Sequence, residues 1–578
     1  MKTFIPGKDL SLEDSLNNFQ TLLAKIGIDI EIASELNEVS FIWSTHIKDK
    51  NCNLCFSNGK GASQKASLAS AYGEFFERLS TQYYFADFFL KKDKISQFYN
   101  HPKEIILDPN KVNIFQSILN QDLLKFYDEN NELSAESFID FSSKYNLNNK
   151  ILAIPYYNTT TKENVYFPQY LINSIYASNG MSAGNNKYEA RVQALSEILE
   201  RAAKKDIISK AITMPKIPEE ILNSFDKIQT SIKEIKSNGY SIKVLDASYT
   251  YNFPIICILL LNPTNNTVFA SFGAHPLLEV AIERTLTELL QGRSLQNLDV
   301  FTTPVFDLDL VSDNLNIENH FIDSNGLVHW NILKDTPDYK FNNWNILGNT
   351  EEQYNSILKI LKSKKLDIYI AEYTHLGVYT CRILVPGLSE IYPVNDLVEN
   401  YTEERFYFNK KFLKLFEKSW EKAWYLEFLE ELEDSLVSDS MMLGNYLGLP
   451  IENSSYWKDM KIIEFKLILA ICSERLELAQ EFISLLLDIG ATSTKRELSH
   501  YKLLQASIDL FINNPKNKDN FKDGFINLFN ENDVNYIWNL LDNKSNIFEI
   551  LFNKNQTLEK PRYIAELNKI YTITQQLY

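Results

Sequence analysis

The 578-residue chain predicts an α+β protein in two parts. Residues 1–402 read as helices packed on mostly antiparallel sheets, and 403–578 as an all-α helical-repeat, tetratricopeptide-like domain. Three observations predict this. The chain is too long for one hydrophobic core. Before about residue 400, strand-like runs repeatedly precede segments of helical periodicity. From Glu403 onward nearly everything reads as helix, with Phe412, Leu415, Phe416, Trp420, Trp424 and Phe428 at three- and four-residue spacing. Leu467, Ala470, Ile471, Leu476, Ala479, Phe482 and Leu486 continue that pattern, which reads as core rather than as a ligand site, without a clean repeat signature.

Taken in order, Ser11-x-x-Asp14 opens a helix as a capping box; Leu16, Phe19, Leu22, Leu23 and Ile26 follow helical spacing, and Gly27 closes it. Strands are expected at 28–32 and 41–47, and Gly59-Lys60-Gly61 leads into a first acidic helix. Residues 93–165, rich in Asn, Lys and Asp, read as a variable insertion or lid with short mixed elements. Asn179-Gly180 and Ala183-Gly184-Asn185 read as a tight loop whose amides meet an anion at the start of a second acidic helix. Residues 240–247 and 254–261 form a strand pair, and Thr267 to Phe272 a strand before a third acidic helix. The Asn/Lys-rich stretches 513–522 and 553–556 read as loops.

The chemistry sits on those acidic helices. At about 100° per residue, Ser70, Glu74 and Glu77 share one face, opposite Leu68, Tyr72, Phe75 and Leu79. Glu189, Gln193, Glu197 and Glu200 align on the second helix, away from Leu195, Ile198 and Leu199; Arg284, Glu288 and Gln291 mark the third. An acidic face is ordinarily the solvated side of an amphipathic helix. Here it also carries Ser and Gln, and Arg78 and Arg201 directly follow the last Glu of two helices, which suits a site. Converging carboxylates repel unless a cation lies between them, and hard oxygen donors suit Mg²⁺, so Glu74, Glu77, Glu197 and Glu200 are the expected metal ligands. Neither a Gly-x4-Gly-Lys-Ser/Thr loop nor a strand-linked Gly-x-Gly-x-x-Gly is present, so a nucleotide would be held by metal and arginines.

A formal net charge of −17, from 58 basic and 75 acidic residues, disfavours direct nucleic-acid binding. The first residues lack a signal-peptide apolar core, and the longest apolar run, Ile255 to Leu261, is a buried strand rather than a membrane span. Five cysteines fit a reducing cytoplasm rather than a disulfide scaffold. Cys52-Asn53-Leu54-Cys55 has a metal or redox gap but no second pair, and a straight strand would send the two sulfurs to opposite faces; structural, redox and metal roles stay open. Of seven histidines, only His275, before Pro276, is placed near the site.

The ordered motifs Ser70-x3-Glu74-x2-Glu77-Arg78, Ser178-Asn179-Gly180-x2-Ala183-Gly184-Asn185-x3-Glu189-Ala190 and Ala194-Leu195-x-Glu197-x2-Glu200-Arg201 resemble those of the YcaO family. Gly273-Ala274-His275-Pro276, Ala281, Arg284, Glu288 and Gln291 resemble its third block, and Arg382 with Pro386-Gly387-Leu388 its fourth. The opening Phe4 to Asp9 and the overall length are most similar to the stand-alone enterobacterial type. The resemblance implies ATP and Mg²⁺ as cofactors and phosphorylation of an amide oxygen by ATP. It implies that Arg201 and Arg284 neutralise charge on the transferred phosphoryl group, and that Ser70, Asn185, Glu189, Arg201, Arg284 and Glu288 hold the nucleotide. Lys8 and Ser15 match positions that close over it. The chain ends Tyr571-Thr572-Ile573-Thr574-Gln575-Gln576-Leu577-Tyr578, without the Pro-x-Pro-x-Pro tail of peptide-cyclising members, so azoline formation is not expected. The stand-alone type implies an accessory factor for β-methylthiolation of an aspartate in a small-ribosomal-subunit protein, partnering a radical methylthiotransferase, as a homodimer. A cyclodehydratase or thioamide-forming enzyme, and a helical adaptor braced by a structural nucleotide, remain as alternative readings.

Overall fold

The computed structural model describes residues 2–89, 100–111, 118–141, 150–295, 298, 301–399, 401–416, 420–435, 437–451, 458–488, 495–542 and 562–575. The class is α+β, as the sequence predicts. The chain divides into two compact units, Met1–Ala86 with Lys94–Asn400 and Lys569–Tyr578, and Asp87–Asp93 with Tyr401–Asn568.

In the first unit the described strands are β1 (Ile30–Val39), β2 (Ile42–Asp49), β3 (Cys52–Gly61), β4 (Ile105–Leu107), β5 (Ile151–Asn158), β6 (Asn164–Pro168), β7 (Met181–Gly184), β8 (Ser241–Asp246), β9 (Ile255–Asn262), β10 (Thr267–Ala274), β11 (Tyr369–Tyr373) and β12 (Tyr379–Leu384). They form three sheets: β1-β2-β3, β10-β9-β8, and β4-β5-β11-β12-β7 with β6 also on β5. Every named pairing is antiparallel.

Four of the longer helices are α1 (Leu12–Lys25), α2 (Gln64–Ser80), α3 (Lys187–Ser209) and α4 (Leu278–Leu289). Ser11 caps α1 by accepting from the Asp14 amide, as its sequence predicts, and Ser63 caps α2 through the Ala66 amide. The three acidic helices α2, α3 and α4 each pack on two sheets. Helix α2 lies on β2 and β3 and on β7 and β12; α3 on β7 and β12 and on β9 and β10; α4 on β9 and β10 and on β2 and β3. Sheets and helices therefore alternate in a closed cycle. Each helix needs an apolar flank toward both of its sheets, supplied on α3 by the buried Leu195, Ile198 and Leu199, and the polar face left over turns to the centre.

Several expectations need correction. The first strand runs over 30–39, and 52–61 adds a third member to its sheet. The tight loop expected from Asn179-Gly180 to Ala183-Gly184-Asn185 contains β7, whose Met181, Ser182, Ala183 and Gly184 pair with Arg382, Cys381, Thr380 and Tyr379 of β12. The helix start beyond it is not an open anion site, because the Asn186 side chain caps the Tyr188 and Glu189 amides of α3. The Cys52–Cys55 stretch does not run straight. A register shift between Lys48 and Asp49 bulges β3, and the two buried free thiols hydrogen-bond one another. Within 93–165 the described residues hold β4, a short helix Gln121–Tyr127, β5 and the start of β6. Residues 93–99, 112–117 and 142–149 of that insertion, the loop at 553–556 and tail residues 576–578 lie outside the described residues.

The second unit is helical throughout its described elements, including Tyr401–Lys414, Lys422–Asp434, Ile462–Cys472, Leu476–Asp488, Lys495–Asn513 and Glu531–Asp542. Three residues join Ile462–Cys472 to Leu476–Asp488, and the pair packs together as a hairpin. The aromatic stripe is core, as read: Phe412, Phe428 and Phe465 are buried together. Residues 513–522 include a single 3₁₀ turn, Lys518–Phe521.

Candidate functional site

The inward faces enclose a cavity of about 820 Å³. Its lining includes Lys8, Ser15, Ser70, Glu74, Glu77, Asn185, Glu189, Glu197, Glu200, Arg201, Arg284 and Glu288, so every residue singled out for metal or nucleotide lies on one surface, with Gln291 beside them. Helix α3 runs along this surface. From Glu189 to Lys204, both on its lining, the helix rises about 22 Å at 1.5 Å per residue.

The end near the start of α3 is closed by the N-terminal segment. Glu189 is buried and accepts from Lys8 Nζ at 3.1 Å, from the Asp9 amide at 3.1 Å and from Asn185 Nδ2 at 3.0 Å. Burial pushes its carboxyl up, but Lys8 and these donors outweigh it and hold Glu189 below the usual range. Ser15 Oγ donates to Asn185 Oδ1 at 2.9 Å, tying α1 to the same point. Gly7 has φ +79°, and a Cβ there would stand 2.4 Å from His275 Nε2. The buried His275 accepts from the Leu277 amide through Nδ1, and burial lowers its pKa to about 3, so the imidazole is neutral.

Farther along, carboxylates and cations alternate. Glu74 pairs with Arg78 at 2.5 Å and Glu197 with Arg201 at 3.1 Å, each one helical turn away on its own helix. Glu288 pairs with Lys60, and Arg284 donates to Gln193. Gln291 donates to the Asn58 carbonyl. Glu77 has no ion pair among the described residues. Burial, then the neighbouring Glu197 and Glu74, raise its pKa well above the ordinary value, and Glu200 is raised mainly by burial. At the far end the Lys204 ammonium donates to the His320 carbonyl and to Ser324 Oγ at 3.2 Å, and burial lowers it to about 8.

Among the described residues no three His, Cys, Asp or Glu side chains gather as a metal-ligand group. The four expected ligands share the cavity, where Arg78 and Arg201 pair with Glu74 and Glu197. The donor chemistry still fits Mg²⁺: oxygen ligands from α2 and α3, with Glu77 strained by neighbours of its own sign, which a divalent ion relieves.

Residues 58–389, more than half the chain, match the YcaO cyclodehydratase family, described as ATP- and Mg²⁺-binding. The chain belongs to the YcaO family. Residues 406–576 match the YcaO cyclodehydratase C-terminal domain. An uncharacterized protein of Haemophilus influenzae is 41% identical over 556 residues, 95% of this chain and 94% of its own. The protein named ribosomal protein S12 methylthiotransferase accessory factor YcaO, from Escherichia coli K12, is 41% identical over 532 residues, 91% of this chain and 90% of its own. Among solved structures, a Methanopyrus kandleri YcaO bound with AMPPCP and Mg²⁺ is similar over 66% of this chain and 92% of its own, with 17% identity and a TM-score of 0.40. No described helix is long and apolar enough to cross a membrane.

The motif reading passed over several cavity residues, among them Lys60, Lys204 and Arg293, and gave no role to Arg78 or Gln193. Lys60 carried a legible signal. In Gly59-Lys60-Gly61, strand alternation puts both glycines on one face and the lysine on the other, and Cβ atoms on the glycines would strike the backbone of α2 at Ser67. Arg382, by contrast, lies off the cavity and donates to the Ile172 and Ala177 carbonyls, a structural role.

Proposed function

We propose that this YcaO protein binds Mg²⁺-ATP in the cavity and serves as an accessory factor for β-methylthiolation of an aspartate in a small-ribosomal-subunit protein, using ATP to activate an amide carbonyl by O-phosphorylation. The observation that carries this reading is the convergence of α2, α3 and α4 on one cavity whose lining includes Glu74, Glu77, Glu197, Glu200 and Glu288 together with Arg201 and Arg284. The full-length relative at 41% identity supports the accessory role.

Bound Mg²⁺ supplies charge that screens the phosphates, with Glu74, Glu77, Glu197 and Glu200 as its carboxylate donors. Arg201 and Arg284 stabilise charge developing on the transferred phosphoryl group; the buried Nε of Arg284, without a hydrogen-bond partner among the described residues, is poised for an anion. Lys8, Ser15, Ser70, Asn185, Glu189 and Glu288 hold the nucleotide, and the Lys8–Glu189 clasp closes the N-terminal segment over it. ATP held here would supply the γ-phosphoryl group for an amide oxygen, with ADP as the leaving group and the amide N–H proton released to solvent. The protein works as a cytoplasmic homodimer beside a radical methylthiotransferase, and its tetratricopeptide-like C-terminal unit, from about residue 403, receives partners without contacting nucleic acid.

The test is a titration of the full-length protein with ATP, with and without Mg²⁺, followed by analysis for ADP and phosphorylated or thiolated product. Absence of Mg²⁺-dependent nucleotide binding overturns the reading.

A further inference from the structure

Strand β3 delivers one cation into the acidic centre from outside the three acidic helices. Gly59 and Gly61 hold it against α2: a Cβ at 59 would lie 1.9 Å from the Ser67 carbonyl oxygen, and one at 61 would lie 2.8 Å from the Ser67 amide. The alternate face, bearing Lys60, turns toward α4, which also packs on β3. There Lys60 pairs with Glu288, its side chain only 23% exposed. The charged groups acting on it are Arg284, Glu200, Glu74 and Glu197, so carboxylates of all three acidic helices face this one ammonium.

We propose that Lys60 is the built-in counter-cation of the metal-free site: loading with divalent ion and nucleotide, which together claim Glu74, Glu197, Glu200 and Glu288, displaces it from Glu288 and frees its ammonium for the anionic oxygens of the nucleotide. This rests on the Mg²⁺-ATP reading above. The geometry distinguishes Lys60 from Arg78 and Arg201, which pair with carboxylates of their own helices one turn away. Lys60 instead links β3 to α4, so releasing Glu288 leaves the ammonium without its partner, beside the cavity it lines. An unpaired ammonium there must find another anion or bear its desolvation alone. A triphosphate is the anion this cavity is built to receive.

The experiment compares wild type, Lys60→Met and Lys60→Arg as full-length proteins, with circular dichroism to confirm folding. Mn²⁺ binding without nucleotide is followed by electron paramagnetic resonance, and ATP binding at saturating Mg²⁺ by calorimetry. Lys60→Met is expected to bind Mn²⁺ about 10-fold more tightly, since a competing charge is gone. It is expected to bind ATP about 10-fold more weakly, since a phosphate-facing cation is gone, and Lys60→Arg is to behave as wild type in both. Tighter Mn²⁺ with unchanged ATP affinity overturns the proposal, leaving Lys60 as a bystander charge; unchanged or weaker Mn²⁺ affinity overturns it as well. Failure of wild type to bind Mg²⁺-ATP would instead strike the functional reading itself.

Discussion

Replacing Glu77 by Gln separates the two states of the site. In the metal-free protein, burial and then Glu197 and Glu74 raise the Glu77 pKa well above 4.5, so the folded chain binds a proton that the unfolded chain has released. Stability then falls as pH rises above the unfolded value. From pH 4.5 to 7, at about 1.4 kcal/mol per unit, that loss reaches at most about 3.4 kcal/mol. Gln imitates the protonated carboxyl and carries no such linkage. Metal-free Glu77→Gln is therefore expected to match wild type near pH 4.5 and to melt a few degrees higher at pH 7. Metal binding moves the other way. A divalent ion and a carboxylate attract by about 8 kcal/mol at 4 Å with an effective dielectric constant near 20, and removing the proton returns at most about 3.4 of that. The variant is expected to bind Mg²⁺ and Mg²⁺-ATP at least ~100-fold more weakly. Thermal unfolding in EDTA across pH 4.5–7.5, with calorimetric Mg²⁺-ATP titration, reads both. A variant that melts below wild type at pH 7 while keeping its Mg²⁺-ATP affinity would refute the reasoning.

Glu189→Ala removes the acceptor shared by Lys8, the Asp9 amide and Asn185; limited trypsin digestion is expected to cut after Lys8 several-fold faster, with ATP affinity about 10-fold weaker by calorimetry. Gly59→Ala would place a methyl group 1.9 Å from the Ser67 carbonyl oxygen, forcing β3 off α2; a loss of more than about 3 kcal/mol is expected in denaturant titration, together with lost nucleotide binding. Burial lowers the His101 pKa to about 4 against 6.5 in the unfolded chain, so its contribution is complete above pH 6.5 and is lost as pH falls through 4. His101→Gln is expected to flatten that acid limb by up to about 3 kcal/mol in thermal scans between pH 4 and 7.

Much of the site was legible because helical periodicity is local. Residues three and four apart share a face whatever lies around them, so the faces of α2, α3 and α4 could be written from sequence alone. Which sheets they meet could not, because strand pairing joins residues hundreds of positions apart, as Met181 does with Arg382. The same distance hid β7. Asn179-Gly180 and Gly184 look like turn punctuation, yet a Cβ at 180 would meet the Ile383 carbonyl at 2.1 Å and one at 184 would meet the Ala190 amide at 2.8 Å. These glycines allow close approach between neighbouring elements. Local rules also misjudged the anion site at α3, since a loop rich in amides says nothing of Asn186 already capping them. In the C-terminal unit the apolar spacing was enough, for a helix such as Ile462–Cys472 buries nearly every side chain and leaves no face to misassign.

The alternation of three sheets with three wedged helices has a mechanical consequence. A ligand gripped from α2, α3 and α4 at once pulls on all the seams of the unit together, so its binding free energy reinforces joints far from any atom it touches. Saturation with nucleotide should slow amide exchange in β5 and β8 as well as in the strands beside the cavity. Conversely, loosening one seam weakens the grip of the other two helices. Such a molecule senses its cargo as a whole, much as a barrel stays tight only while every hoop holds.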